Sequence, residues 1–491
     1  MADGRLINDD LAPTTSDQRT WSMWNIAALW VGMAICIPTY TLASGLVAKG
    51  WSWKMAVLCV ALGNIVVLVP LVINAHAGTR HGVSFPVFIR ASFGVFGSNV
   101  PSLMRALVAC GWFGIQTWWG GEALYILIRI LCPASWSLPD VTPAWLGIST
   151  GELLAFAGFW ALQVIIIWRG IESIRILETW AAPFLLAIGV ALFAWALWRV
   201  GDLSTLLAES GDPKVGGMSA MGAGLTVGVA YWGTLALNIP DFTRFAKSQR
   251  DQVAGQAMGL VPTMTLFAFI GAVVTNATVI IFGTRIADPV QLLGRIGGPA
   301  LTILAMLGLT IATLTTNIAA NIVSPANDLA NLAPRTFSFR RGALVAAGLG
   351  AAIMPWRLVA DLGNYLFTWL NGYGALLGAV GGIMIVDYVF IRRGHLAVDD
   401  LYRRGGRYEY SGGFNWIAIV ALVAGIAPNV PGFLGALGAL EVPALFATIY
   451  DWAWFVAFFI AGAVHLGGMA LFTRGHFGHH VTAKSAPAAA A

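Results

Sequence analysis

The chain has 491 residues, of which 58% are apolar and only 10% charged, with a formal charge of +5. A soluble chain of this length carries about a quarter charged residues, so a large water-facing enzyme is excluded and a lipid-facing surface is expected. The positive balance is no nucleic-acid signal; it is read through where Lys and Arg sit along the chain.

The first 20 residues, ending in Asp17-Gln18-Arg19-Thr20, are polar and lack the apolar run of a signal peptide. The first apolar stretch is therefore expected to direct insertion itself. Each crossing takes about 20 largely apolar residues. Spans are predicted at 22–47, 53–75, 100–130, 151–168, 178–199, 219–240, 258–282, 299–325, 342–357, 363–391, 414–436 and 449–473. The stretch between the second and third, from His76 to Asn99, is too polar and glycine-rich to span. The organisation expected is a polar segment over 1–20, an all-α integral membrane domain of about twelve helices over 21–475, and a disordered tail over 476–491.

Charge tests the count. Twelve spans put both termini and every second loop on one side, and that side holds 20 of the 28 Lys and Arg residues, among them Arg80, Arg90, Arg105, Arg244, Arg340, Arg341, Arg392 and Arg393. The positive-inside rule then predicts both termini in the cytoplasm, with the chain in the cell (inner) membrane. The cysteines are Cys36, Cys59 and Cys110 in apolar segments and Cys132 in a loop, with no disulfide framework and no CxxC pattern.

Taken in order, two spans are interrupted. The first reads Trp30-Val-Gly-Met-Ala-Ile-Cys-Ile-Pro38-Thr-Tyr, and a proline inside a span frees carbonyls one turn earlier, around Ala34 to Ile37. The sixth reads Gly228-Val-Ala-Tyr-Trp232-Gly233 and reaches Asn238-Ile-Pro240 near its end. Irregular backbone at membrane depth is tolerated only where it is buried or lines a cavity. Breaks at positions one and six suggest two five-helix halves in inverted order with a site between them. Pro and Gly are also simply common in membrane helices.

The third span carries Gly111-Trp112-Phe-Gly-Ile-Gln116. Trp112 and Gln116 are four apart and share a helix face. An indole beside a primary amide can stack on a flat ring and hydrogen-bond its edge; the bland alternative is an aromatic belt with a tolerated glutamine. Glu122, on the same span, is the deepest carboxylate, suited to a structural pairing, an outer-vestibule role or proton coupling. Asp241, Asp328, Asp361 and Asp387 lie near span ends, and His76 and His81 flank a loop. On the eighth span, Ala312, Thr315 and Thr316 share a face. Two hydroxyls and a carbonyl there, facing the freed carbonyls of span one, would form an uncharged oxygen cage for a monovalent cation. The alternative is Thr back-bonding to its own helix. No P-loop, metal-ligand cluster or nucleophile–base pair is visible, which argues against a membrane enzyme, and no loop is long enough to be a signalling domain.

These runs, with Asn238-Ile-Pro-Asp-Phe-Thr-Arg244 and Ser324-Pro-Ala-Asn-Asp328, resemble the nucleobase–cation symporter family of hydantoin, allantoin, cytosine and uracil permeases, over about 20–475. The resemblance implies a leucine-transporter-like fold of two inverted five-helix repeats, about 21–200 and 218–392, plus two extra helices at about 413–475. It implies that Trp112 and Trp232 stack on the substrate, that Gln116 and Asn321 hydrogen-bond it, and that Pro38, Asn317 and Leu366 are further substrate-facing positions. Some hydantoin- and allantoin-type members have a polar amide where this chain has Pro38. Phe367, beside Leu366, is a candidate outer-gate residue. The sodium site maps onto the carbonyls of Ala34, Ile37 and Ala312 and the hydroxyls of Thr315 and Thr316. The expected function is sodium-coupled uptake of a neutral planar heterocycle across the lipid bilayer, with no cofactor beyond the coupling ion and no nucleic acid. The alternative is a proton-coupled permease for a purine or other heterocycle.

Overall fold

The computed structural model describes residues 3–476 except 133–137, 170, 209–210, 297 and 362–363. Among the described residues the regular structure is helical, apart from two isolated bridges. The principal helices are α1 (Met23–Ala34), α2 (Ile37–Ala48), α3 (Trp53–His81), α4 (Asn99–Leu131), α5 (Thr150–Arg169), α6 (Ile171–Val200), α7 (Gly217–Ala230), α8 (Gly233–Asn238), α9 (Gln249–Phe282), α10 (Pro299–Asn321), α11 (Val323–Leu332), α12 (Phe339–Ala352), α13 (Asn371–Val386), α14 (Trp416–Ile426) and α15 (Ala453–His476). The expected tail falls outside the described residues.

Seven helices among these are long and apolar enough to cross a membrane, or eight if α1 and α2, bent by 52°, form one span. The other four segments of the twelve-span expectation are α4, α6, the broken pair α7–α8 and α12. Each carries more charge, is interrupted or is short. At 1.5 Å per residue, the 33 residues of α4 reach about 50 Å, longer than the hydrocarbon core.

The helices approach closely where small residues meet. A Cβ on Gly63 of α3 would lie 2.8 Å from the Gly228 carbonyl carbon on α7, and one on Gly382 of α13 would lie 2.1 Å from the Phe458 carbonyl oxygen on α15. These contacts leave no room for a methyl group.

The first interruption falls at Ile35 and Cys36, where non-helical backbone, extended at Cys36, separates α1 from α2. Pro38 does not sit at the break itself. It occupies the first turn of α2, where its missing N–H costs nothing and its fixed φ suits helix initiation. The sixth span breaks at Tyr231 and Trp232, just before Gly233.

The stretch from His76 to Asn99 departs from a solvated loop. α3 continues to His81, and two short helices, Phe85–Phe88 and Arg90–Phe93, fold back into the protein and are wholly buried. Polar groups from distant segments hold them. Asp241 accepts from the Phe85 amide (2.8 Å), and Arg90 donates to Asn331 (2.7 Å) and to the Leu401 carbonyl (2.8 Å). Arg90 and Arg105 are thus interior groups, unlike the exposed loop cations that charge counting assumed. Arg105 pairs with Asp328 at 3.1 Å, both fully buried.

Candidate functional site

The two breaks face each other. The Thr39 hydroxyl, in the first turn of α2, lies 2.9 Å from the Tyr231 hydroxyl, and Cys36 Sγ lies 3.4 Å from the same oxygen. Trp30 and Trp232 meet edge to face with centroids 5.0 Å apart. The contacts between the two breaks are made by side chains, while the Gly32 and Ala230 carbonyls beside them accept from Thr316 and Tyr373.

Between the breaks and α4 lies a small cavity lined by Met33, Trp112, Gln116, Tyr231, Trp232, Thr234, Leu235, Thr316, Ala320 and Asn321. Four sequence-predicted positions therefore converge there: Trp112, Gln116, Trp232 and Asn321. Its volume is about 20 Å³, room for little more than a water. A heterocycle can enter only if the surrounding side chains part. Pro38, Asn317 and Leu366 do not line it. Leu366 is buried in a π-helical turn, Asn364–Leu370, that leads into α13, and the neighbouring Phe367 carbonyl accepts from Tyr450 (3.1 Å).

The cavity's polar groups are held in defined orientations. Trp112 Nε1 donates to the Tyr373 hydroxyl (3.2 Å), which donates to the Ala230 carbonyl (2.9 Å) at the edge of the sixth-span break. Asn317 Nδ2 donates to Gln163 Oε1 (2.8 Å), the Phe113 carbonyl (3.0 Å) and Thr117 (3.1 Å). That leaves Asn317 Oδ1 to accept from Asn321 Nδ2 at 2.9 Å. The chain of amides engages one of the two Asn321 N–H groups inside the protein. Gln116 Oε1 and Trp232 Nε1 are buried with no partner among the described residues. Unpaired acceptor and donor groups are thus both present among the cavity residues, as a lactam edge requires.

The candidate cation ligands sit beside it. Ala34 and Ile37 bracket the break, and with Ala312, Thr315 and Thr316 they are all buried. The Thr315 hydroxyl lies 2.9 Å from the Ala312 carbonyl, and the Thr316 hydroxyl 3.1 Å from the Gly32 carbonyl of α1. Thr315 thus back-bonds to its own helix, while Thr316 reaches across to the interrupted one. The donor set is made of neutral oxygens only, which fits a monovalent cation at an unwound helix.

A second cavity, about 330 Å³, is lined by Trp118, Trp119, Glu122, Glu152, Asp288, Arg357 and their neighbours. Glu122 belongs here, apart from the small cavity. Trp119 and Trp112 both pack edge-on against Tyr365, at 5.8 and 6.1 Å, so one aromatic side chain bridges the two spaces. Asp288 caps the short helix Pro289–Ile296 through the Val290 amide (2.7 Å). Burial pushes its carboxyl up to about 6 against that hydrogen bond. Sequence reading missed Met33, Tyr231, Thr234, Gln163 and Tyr373. Tyr231 stands beside Trp232 in the break, the one signal that could have found it.

Residues 13–457 match the family described as permeases for cytosine/purines, uracil, thiamine and allantoin. The chain is 48% identical over 467 residues to a purine-uracil permease of Arabidopsis thaliana, covering 94% of this chain and 78% of the relative. It is 39% identical over 461 residues to an allantoin permease of Bacillus subtilis, covering 93% and 92%. Among solved structures it resembles Mhp1, a nucleobase-cation-symport-1 family transporter, in a closed conformation with bromovinylhydantoin bound: TM-score 0.78, 28% identity, 95% and 96% of the two chains. That similarity extends the five-plus-five inverted-repeat fold to this chain. With a family match over most of its length and relatives this close, the chain belongs to the nucleobase–cation symporter family of permeases.

Proposed function

We propose that this permease takes up a neutral, planar lactam or ureide ring, of the hydantoin, allantoin or nucleobase class, together with sodium. The observation that carries the reading is the convergence of Trp112, Gln116, Trp232 and Asn321 on one buried cavity between two helix breaks. The ring lies between Trp112 and Trp232, and the amides of Gln116 and Asn321 read its alternating N–H and C=O edge. None of the ten residues lining the cavity is charged, so a neutral ring fits better than an anion. Sodium is held by the carbonyls of Ala34, Ile37 and Ala312 and the hydroxyls of Thr315 and Thr316. It supplies the electrochemical gradient, while the chain's own oxygens replace its hydration shell. Twelve spans with both termini in the cytoplasm accord with the charge distribution along the chain.

Uptake of labelled uracil, allantoin and benzyl-hydantoin into vesicles, with and without a sodium gradient, tests this reading. Sodium-stimulated accumulation of one of them is expected. Uptake driven equally well by a proton gradient in sodium-free buffer would replace it with the second reading, proton coupling. That reading draws on the carboxylates of Glu122, Glu152 and Asp288 in the larger polar cavity.

A further inference from the structure

A large cavity lies away from the substrate site. It has a volume of about 1230 Å³ and runs between α4, α12, the π-helical turn, α13 and the segment after α14. Its mouth is formed by side chains such as Leu107 (59% exposed) and Leu437 (52% exposed), so in a bilayer it opens to the hydrocarbon. Its walls are mostly apolar; Asn364, Thr368, Tyr373 and Tyr450 also line them, and three further polar groups bear on what could bind. Arg357, exposed on the short helix Pro355–Val359, stands in the wall; it donates to the Trp145 carbonyl, one of the five N–H groups of a guanidinium. Asn429, only 2% exposed, donates to the Gly425 carbonyl (3.3 Å), and its Oδ1 has no partner among the described residues. Trp369 Nε1 is likewise buried without an acceptor among them. An apolar groove with a cation, a spare acceptor and a spare donor matches one class of amphiphile.

We propose that this groove binds a phospholipid with an anionic, hydroxyl-bearing headgroup of the phosphatidylglycerol type. Its acyl chains fill the apolar cleft, its phosphate faces Arg357, a headgroup hydroxyl donates to Asn429, and an ester carbonyl accepts from Trp369. An acyl chain is the occupant because the mouth opens among lipid tails and not into water. The anionic head follows from Arg357, which lines this groove as well as the carboxylate cavity and has N–H groups beyond the one given to Trp145.

The site is placed to act on transport. Its inner wall is the outward face of the π-helical turn and α13, through Trp369, Gly372 and Tyr373. The Trp369 ring presses on Gly111, where an added Cβ would lie 2.4 Å from it, next to Trp112 in sequence. Tyr373 holds Trp112 Nε1 directly. A lipid in the groove buttresses the two side chains that set the position of the substrate-facing indole.

The test is lipid retention by the full-length protein in mild detergent, read by native mass spectrometry with phosphatidylglycerol and phosphatidylcholine as competing probes. No substrate or gradient is present, so the result is independent of the transport assay. Wild type is expected to retain phosphatidylglycerol with a preference of roughly fivefold, the scale of one exposed charge pair. Arg357→Gln should keep a lipid but lose the preference. Ala352→Trp, which fills the groove, should lose retention of both. Arg357 is on the surface, so its variant remains informative if the groove-filled protein misfolds. Equal retention of the two lipids by wild type, or unchanged retention by a folded Ala352→Trp, overturns the proposal.

Discussion

The amide relay behind Asn321 gives the most specific test of the substrate site. Gln163 on α5 donates to Thr117 (3.0 Å) and accepts from Asn317 (2.8 Å), and Asn317 accepts from Asn321 (2.9 Å). Gln163 and Asn317 are fully buried and Asn321 nearly so. Asn317→Leu removes the middle of the relay and strands Gln163 Oε1 and Asn321 Nδ2. Each buried group left unpaired costs about 1–3 kcal/mol, so the variant should lose roughly 2–6 kcal/mol of stability. Asn321 is then free to rotate and present either end of its amide. One mismatched contact to the ring costs about 1–3 kcal/mol, or about 5- to 150-fold in Kd. The double variant Gln163→Leu/Asn317→Leu separates the two effects. Replacing both partners by apolar groups is close to neutral, so stability should recover in part while binding stays weak. Thermal unfolding reads the first quantity and substrate quenching of tryptophan fluorescence the second. Wild-type affinity in Asn317→Leu would mean that Asn321 is not oriented by this relay, and the reasoning fails.

Trp112→Ala and Gln116→Leu should each weaken substrate binding, by on the order of 1 kcal/mol for the lost stack and 1–3 kcal/mol for the lost amide; if both bind as wild type in the quenching assay, the pocket lies elsewhere. Asp288 is predicted to make stability depend on pH. Its folded carboxyl sits at about 6 against an ordinary 3.8, so the folded state holds its proton more tightly and stability falls as pH rises from about 4 to 6. Asp288→Asn should flatten that part of the profile in thermal unfolding between pH 4 and 7, and an unchanged profile would remove Asp288 as its cause. For topology, an enzymatic reporter fused to the C-terminus should be active only in the cytoplasm.

Much of the fold was readable because membrane crossing imposes long apolar runs. Most of the predicted stretches overlap a helix, and seven or eight helices are long and apolar enough to cross a membrane; the breaks at spans one and six carried glycine and proline. The exact breakpoint was not readable. A proline inside a span predicts disruption nearby, yet here it begins the next helix and the break falls at Ile35 and Cys36. The buried turns Phe85–Phe88 and Arg90–Phe93 were also hidden. The polar and glycine-rich stretch around them signals a loop, and partners over 150 residues distant, such as Asp241 and Asn331, satisfy their polar groups on burial. Trp112 and Gln116 could be paired by helical spacing, but nothing local identifies Gln163 or Tyr373, which act through tertiary hydrogen bonds.

In the proposed sodium-coupled mechanism, coupling between ion and ring is expected to centre on Thr316. Thr316 lines the small cavity, and its hydroxyl reaches the Gly32 carbonyl at 3.1 Å, in the last turn before the α1–α2 break. A cation drawn to the carbonyls around that break must turn the Thr316 hydroxyl so that a lone pair faces it. That movement occurs in the wall of the substrate cavity. Sodium and substrate should therefore raise each other's affinity, and by linkage the two factors must be equal. Coupling free energies of about 1–3 kcal/mol correspond to about 5- to 150-fold. Thr316→Ser keeps the hydroxyl and should keep the coupling. Thr316→Val keeps the shape but removes the oxygen, and should bind substrate with an affinity that no longer responds to sodium. Thr315→Ala removes a ligand outside the cavity wall, so it should weaken sodium while leaving sodium-free substrate affinity as it was. Substrate titrations at zero and saturating sodium measure all three, and a Thr316→Val protein with the full wild-type sodium response would show that the coupling runs through another group.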